Sequence, residues 1–194
     1  MDDLVGIIII NNSSSESNCV SSIKNQTYKN LKVISMGGDY NKAQLFNKGL
    51  ETLPPTDYII FIEGHQTLMP TFVETTLKTV KRQEVFVGVI YTNFLDNNRK
   101  VNVSSFDRSK LTAGYNIPNL ALIKRNIFET CGLFDESLES LEGWDMWLRI
   151  SEKYVLYHIP EYLYSGEEKV DISTKLVTSN REKILNKTLE RIKK

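Results

Sequence analysis

Short apolar runs alternate along this chain with longer amphipathic segments, and polar turns separate them. Residues 5–10 and 58–62 are continuously apolar and no longer than a strand. A run that is apolar without alternation predicts a strand buried on both faces, as in a parallel sheet. Residues 31–36 read as a further strand, broken by Gly37-Gly38-Asp39. Between these runs the pattern predicts helices over about 15–25, 41–53 and 71–81. Ala43, Leu45, Phe46 and Leu50 fall on the apolar side of the second. Pro54-Pro55 ends that helix, and Pro70 suits the first turn of the third. The order β-α-β-α-β-α predicts a mostly parallel sheet with helices on both faces, an α/β fold that is Rossmann-like in its first half.

The second half is less regular. Residues 85–94 read as a long strand, Asp96-Asn97-Asn98 as a turn, and 100–103 as a strand pairing back. Residues 119–124 are a short apolar strand followed by a brief helix over 125–129. A helix is expected over 141–152, with Trp144, Trp147, Leu148 and Ser151 on one face. Trp144 and Trp147 read as core, and His158 as a structural histidine in a strand. Residues 154–159 and 162–164 read as two closing strands around Pro160-Glu161. The tail from 179 reads as a basic amphipathic helix. From Arg181 onward it carries six Lys or Arg against two Glu, net +4, with Ile184, Leu185, Leu189 and Ile192 as an apolar stripe. This gives one domain over 1–178 and a terminal helix over 179–194. The helix is expected to dock on a partner subunit or an anionic membrane surface, or else on its own domain.

Composition narrows the function. The 194 residues are 41% hydrophobic and 25% charged, ordinary for a globular domain with a sizeable core. Zero formal net charge argues against a nucleic-acid binder. No apolar run approaches the about 20 residues that cross a bilayer, and Asp2 and Asp3 give the first apolar run the wrong charge for a signal peptide. The expected location is cytoplasmic, either free or peripheral to a membrane through the tail. Cys19 and Cys131 have no metal or redox spacing and read as reduced cysteines.

Candidate chemistry gathers at the end of the third apolar run. Glu63 and His65 flank Gly64 where a strand stops, and in an open α/β sheet ligands bind outside the carboxyl ends of the strands. Two such side chains suit a divalent cation beside a phosphate-bearing ligand. The same triplet also suits a polar turn.

Several short motifs stand in an order that resembles the family-2-like glycosyltransferases of the GT-A fold. Gln26-Thr27-Tyr28-Lys29-Asn30 precedes the second strand, and Asn47-Lys48-Gly49-Leu50 precedes the third. Gly132-Leu133-Phe134-Asp135-Glu136-Ser137-Leu138 is similar to the family's acceptor-side turn. Trp144-Asp145-Met146-Trp147-Leu148-Arg149-Ile150 is similar to its late helix, and His158-Ile159-Pro160-Glu161-Tyr162-Leu163-Tyr164 to its closing strands. The resemblance implies transfer of a sugar from a nucleotide sugar, UDP-linked, to an acceptor hydroxyl of a glycan or protein, with inversion. It implies a divalent cation, Mn²⁺ or Mg²⁺, at an Asp-x-Asp and a carboxylate base near the start of the late helix.

This chain departs from that pattern at each chemical position. Gly37-Gly38-Asp39 stands for Asp-Asp-Gly, so Asp39, with Asn11 and Asn47, is assigned to the donor. Glu63-Gly64-His65 stands for Asp-x-Asp, which gives Glu63 and His65 to the metal, a pair better suited to Mn²⁺. Glu142-Gly143 stands for Glu-Asp. Gly143 cannot take a proton, so Glu142 or Asp145 is the expected base and transfer is expected to be slow. Gly143→Asp is expected to speed it. The competing expectation is a module of the same fold that binds or scaffolds without transferring.

Overall fold

Val5–Asn11 (β1) is buried at every position but its last, and its side chains alternate between two cores. Val5, Ile7 and Ile9 join one, and Ile8 and Ile10 the other. In the computed structural model, described over residues 2–11, 16–83, 86–114, 117–167 and 175–193, this strand is the axis of a layered α/β domain. It is followed by α1 (Glu16–Lys24), β2 (Leu31–Gly37), α2 (Lys42–Thr52), β3 (Tyr58–Glu63), β4 (Thr67–Leu68) and α3 (Phe72–Arg82). Then come β5 (Val87–Asp96), β6 (Arg99–Val101), α4 (Arg108–Ala113), β7 (Ala121–Lys124), α5 (Ile127–Cys131), α6 (Glu142–Ile150), β8 (Val155–Ser165) and α7 (Lys175–Ile192).

The sheet order is β2-β1-β3-β7-β5-β8-β4, with β6 hairpinned on β5. β1, β2, β3, β5 and β8 run one way; β4, β6 and β7 run the other. Helices α1 and α3 cover one face through Cys19, Ile23, Phe72, Val73, Leu77 and Val80. Helices α2, α4, α5, α6 and α7 build the other core. The close approach of α2 to β1 needs Gly49: a Cβ there would come within 2.5 Å of Ile8 Cγ2.

The first six elements follow the expected order, with the two-residue β4 inserted. It is too short to leave a pattern. Three details of the second half differ from expectation. β7 is antiparallel to both neighbours, a direction that an apolar run does not encode. The two expected closing strands are one, β8, which passes through Pro160 with register shifts against β5. Helix α4 leaves one buried residue, Leu111, and so has no apolar stripe to read. The expected hairpin is present, with positive φ at both Asn97 and Asn98, as a type I′ turn requires. Ser15 and Val85, the expected first residues of a helix and a strand, lie outside the described residues.

Helix α7 begins before residue 179, and it packs on its own domain. Ile184 and Val177 enter the larger core, and Leu185 lies partly buried against it. Leu189 is exposed; the side chain of Ile192 is outside the described set. Four of the basic residues bind the same domain. Lys187 pairs with Asp135, and Arg191 Nε lies 3.1 Å from Glu152. Lys183 donates to Ser137 Oγ at 2.6 Å, and Arg181 to the Ala113 carbonyl at 2.7 Å. No described helix is long and apolar enough to cross a membrane.

Candidate active site

The carboxyl ends of β1, β2 and β3 come side by side, with Ile10 opposite Glu63 and Asn11 opposite Gly37. A tight turn fixes the tip of β3. Gly64 N–H donates to the Ile10 carbonyl at 2.9 Å, and Gln66 N–H to the Glu63 carbonyl at 2.8 Å. Gln66 Oε1 in turn accepts from Glu63 N–H at 3.0 Å. Lys42 opens α2 just after the cap Asn41, whose side chain and that of Gln44 satisfy each other's backbone N–H groups. Glu142 opens α6 directly after Leu141, whose φ of 64° places a buried non-glycine residue in the left-handed region. Such a backbone costs roughly 1–3 kcal/mol and clusters at working sites.

These three termini converge. Lys42 Nζ lies 2.8 Å from Glu63 Oε1 and 3.8 Å from Glu142 Oε1. At an effective dielectric of about 20, the attraction across the longer gap is on the order of 4 kcal/mol before desolvation. Glu142 is only 4% exposed. Burial pushes its carboxyl above the ordinary value of 4.5; the Lys42 charge opposes that rise and the Glu63 charge adds to it. A carboxylate with a raised pKa is a stronger base than an exposed one.

Asp145 is held elsewhere. Its Oδ2 accepts from Arg149 Nε at 2.9 Å and pairs with Nη2 at 2.8 Å. Arg149 also donates to the Cys131 carbonyl at 2.5 Å, which ties α6 to the end of α5. Between the two acids, Gly143 faces Asn119: a Cβ there would fall 1.6 Å from Asn119 Oδ1. Trp144 and Trp147 are core residues; the Trp144 Nε1–H donates to the Leu111 carbonyl at 2.7 Å, while Trp147 Nε1 has no partner among the described residues.

The residues assigned to the donor each have different partners. Asn47 is buried and latches the turn over 132–138, accepting from Phe134 N–H at 2.9 Å and donating to the Phe134 carbonyl at 3.0 Å. Asn11 Nδ2 donates to Glu16 Oε2 at 2.8 Å, and Ser35 Oγ to Glu16 Oε1 at 2.6 Å, so Glu16 ties the ends of β1 and β2. Asp39 is exposed on the following loop beside Tyr40, whose ring carries the Lys48 ammonium 3.6 Å from its centre. His65 borders a polar cavity of about 410 Å³ with Asp96, Asn97, Asn98, Ser165 and Glu167. Its Nε2 lies 3.1 Å from the Glu167 carbonyl. His158 stacks on Tyr91 and meets Asn93 Oδ1 at 2.9 Å, and burial pushes its pKa down.

The donor set does not suit a divalent cation as it stands. Glu63 holds the Lys42 ammonium, His65 is engaged with Glu167, and among the described residues no group of three His, Cys, Asp or Glu is placed to hold a metal. Lys42, Asn119 and Glu16 are the residues that sequence reasoning missed. Lys42 and Asn119 meet partners distant in the chain, Glu16 meets Ser35 as well as nearby Asn11, and none stands in a motif that points to its role.

No curated protein is similar enough to match this chain. Among solved structures, TarS of S. aureus superposes with a TM-score of 0.68 at 11% identity, over 97% of this chain and 43% of that one. TarS 1–349 in complex with UDP-GlcNAc gives 0.67 at 12% identity, over 97% and 72%. The mannosyltransferase PcManGT of Pyrobaculum calidifontis, in complex with GDP-Man and Mn²⁺, gives 0.69 at 14%, over 100% and 65%. The chain thus spans less than half of that first TarS chain. These likenesses establish a GT-A-like fold. Residues 2–140 match the description Glycosyl transferase family 2, and by that match the chain belongs to this family.

Proposed function

We propose that the protein transfers a sugar from a nucleotide sugar, UDP-linked, to an acceptor hydroxyl with inversion, and that Glu142 is the general base. The observation that carries this reading is the buried Glu142 carboxyl at the start of α6, aimed at the Lys42–Glu63 pair beside the strand ends. In the reaction, the acceptor oxygen forms a bond to the anomeric carbon while the bond from that carbon to the diphosphate breaks. The acceptor proton passes to Glu142. Asn11, Asp39 and Glu16 stand at the ends of β1 and β2, where the nucleoside would lie in an open α/β sheet.

Loss of a general base costs on the order of 10²–10⁴ in rate. Glu142→Gln should therefore abolish transfer or donor hydrolysis in an assay with UDP- and GDP-sugars, with nucleotide binding kept. Transfer that persists in Glu142→Gln would remove Glu142 from the role. The second reading, binding without transfer, is favoured by Asn119, which fills the space beside Gly143 where the family carries its usual base. Binding of the donor with no product over long incubation would decide for it.

A further inference from the structure

We infer that the Lys42 ammonium is the cation of this site: it, rather than a divalent metal, neutralises the diphosphate of the donor. The inference rests on the nucleotide-sugar reading above. Lys42 is fixed by the cap of α2 at the carboxyl ends of the strands, and its side chain is 29% exposed, so an arriving ligand can reach it. The ammonium sits 2.8 Å from Glu63, the carboxylate assigned to the metal by resemblance. A divalent ion on that carboxylate would stand a few ångströms from the ammonium. Two like charges at that distance repel strongly in a partly buried site, so either cation excludes the other. His65, the second assigned ligand, is turned to the Glu167 carbonyl. A lysine ammonium is a compact point charge suited to phosphate oxygens. In this arrangement Glu63 orients Lys42 and competes with the diphosphate for it.

That competition gives the test a sign. Titration calorimetry with UDP and with GDP, each in EDTA and in Mn²⁺, should give the parent chain equal affinity within about threefold. Lys42→Met should weaken binding in EDTA by roughly tenfold or more, the scale of a charge-assisted hydrogen bond, and Lys42→Arg should keep most of it. Glu63→Gln should bind as tightly as the parent or tighter in EDTA, whereas loss of a metal ligand would weaken binding. Binding that requires Mn²⁺ overturns the inference while the donor reading stands, and this needs only the parent chain. Parent-like binding by folded Lys42→Met in EDTA also overturns it. If the folded parent binds neither nucleotide in either condition, the donor reading falls and takes the inference with it.

Discussion

At the scale of single residues, Glu142 carries the strongest consequence. Its carboxyl is raised chiefly by burial, so the folded chain favours the protonated form more than the unfolded chain does. Below the ordinary value both states hold the proton and the contribution to stability is complete. It is lost as pH rises through the raised folded value. Glutamine keeps the shape without the charge. Glu142→Gln should therefore gain stability relative to the parent as pH climbs above about 4.5, read as the difference in urea midpoints between pH 5 and 9. A difference that is flat or shrinks with pH contradicts a raised carboxyl. Glu63 and Glu142 were legible in the sequence because each ends or begins a patterned element. Lys42 was not, because its partners come from β3 and α6 and no local pattern couples them.

At the scale of elements, the first half was legible because its strands are buried on both faces and its helices carry clean stripes. Direction was not: β7 looks the same in sequence whether it runs with or against β3. The start of α6 is the instructive case. Gly143 reads as a vacant base position, and Gly143→Asp as a repair. In the structure the Asn119 side chain lies where a Cβ at this position would fall. Gly143→Asp alone should cost on the order of 1–3 kcal/mol through overpacking. Combined with Asn119→Gly, much of that cost should vanish, a coupling of roughly 0.5–3 kcal/mol in a double-mutant cycle. Any gain in transfer should then appear only in the double variant. Strictly additive effects would mean that the two side chains do not meet. The Asn47 latch between α2 and the turn over 132–138 allows a parallel test: Asn47→Ala leaves the buried Phe134 N–H unpaired and should lower stability by roughly 1–3 kcal/mol in urea melts.

At the scale of the whole molecule, the family match stops at residue 140, yet the core does not. Trp144, Trp147, Leu148 and Ile150 of α6 and Val177 and Ile184 of α7 complete it. The charge and stripe of the tail suit docking on a partner subunit, on an anionic membrane or on its own domain alike. Composition cannot say which surface receives a stripe, because the receiving groove exists only after folding. Two substitutions on the same helix separate the alternatives. Ile184 is fully buried, so Ile184→Ala should cost about 2–5 kcal/mol. Leu189 is 54% exposed, so Leu189→Ala should stay within roughly 0.5 kcal/mol. The ion pair at the helix base adds a pH signature. Burial pushes the Asp135 carboxyl up, but the Lys187 ammonium and the Ser137 hydroxyl and backbone N–H outweigh it and hold the carboxyl at about 2. The stability from this group is complete above the ordinary 3.8 and is lost as pH falls from there toward about 2. Asp135→Asn should therefore show a stability deficit at neutral pH that narrows across that acid range. A helix docked on a membrane or on a second subunit would behave otherwise. Ile184→Ala would then leave the urea midpoint unchanged while altering vesicle binding or oligomeric state, and the Asp135→Asn deficit would shrink to the part that Ser137 supplies.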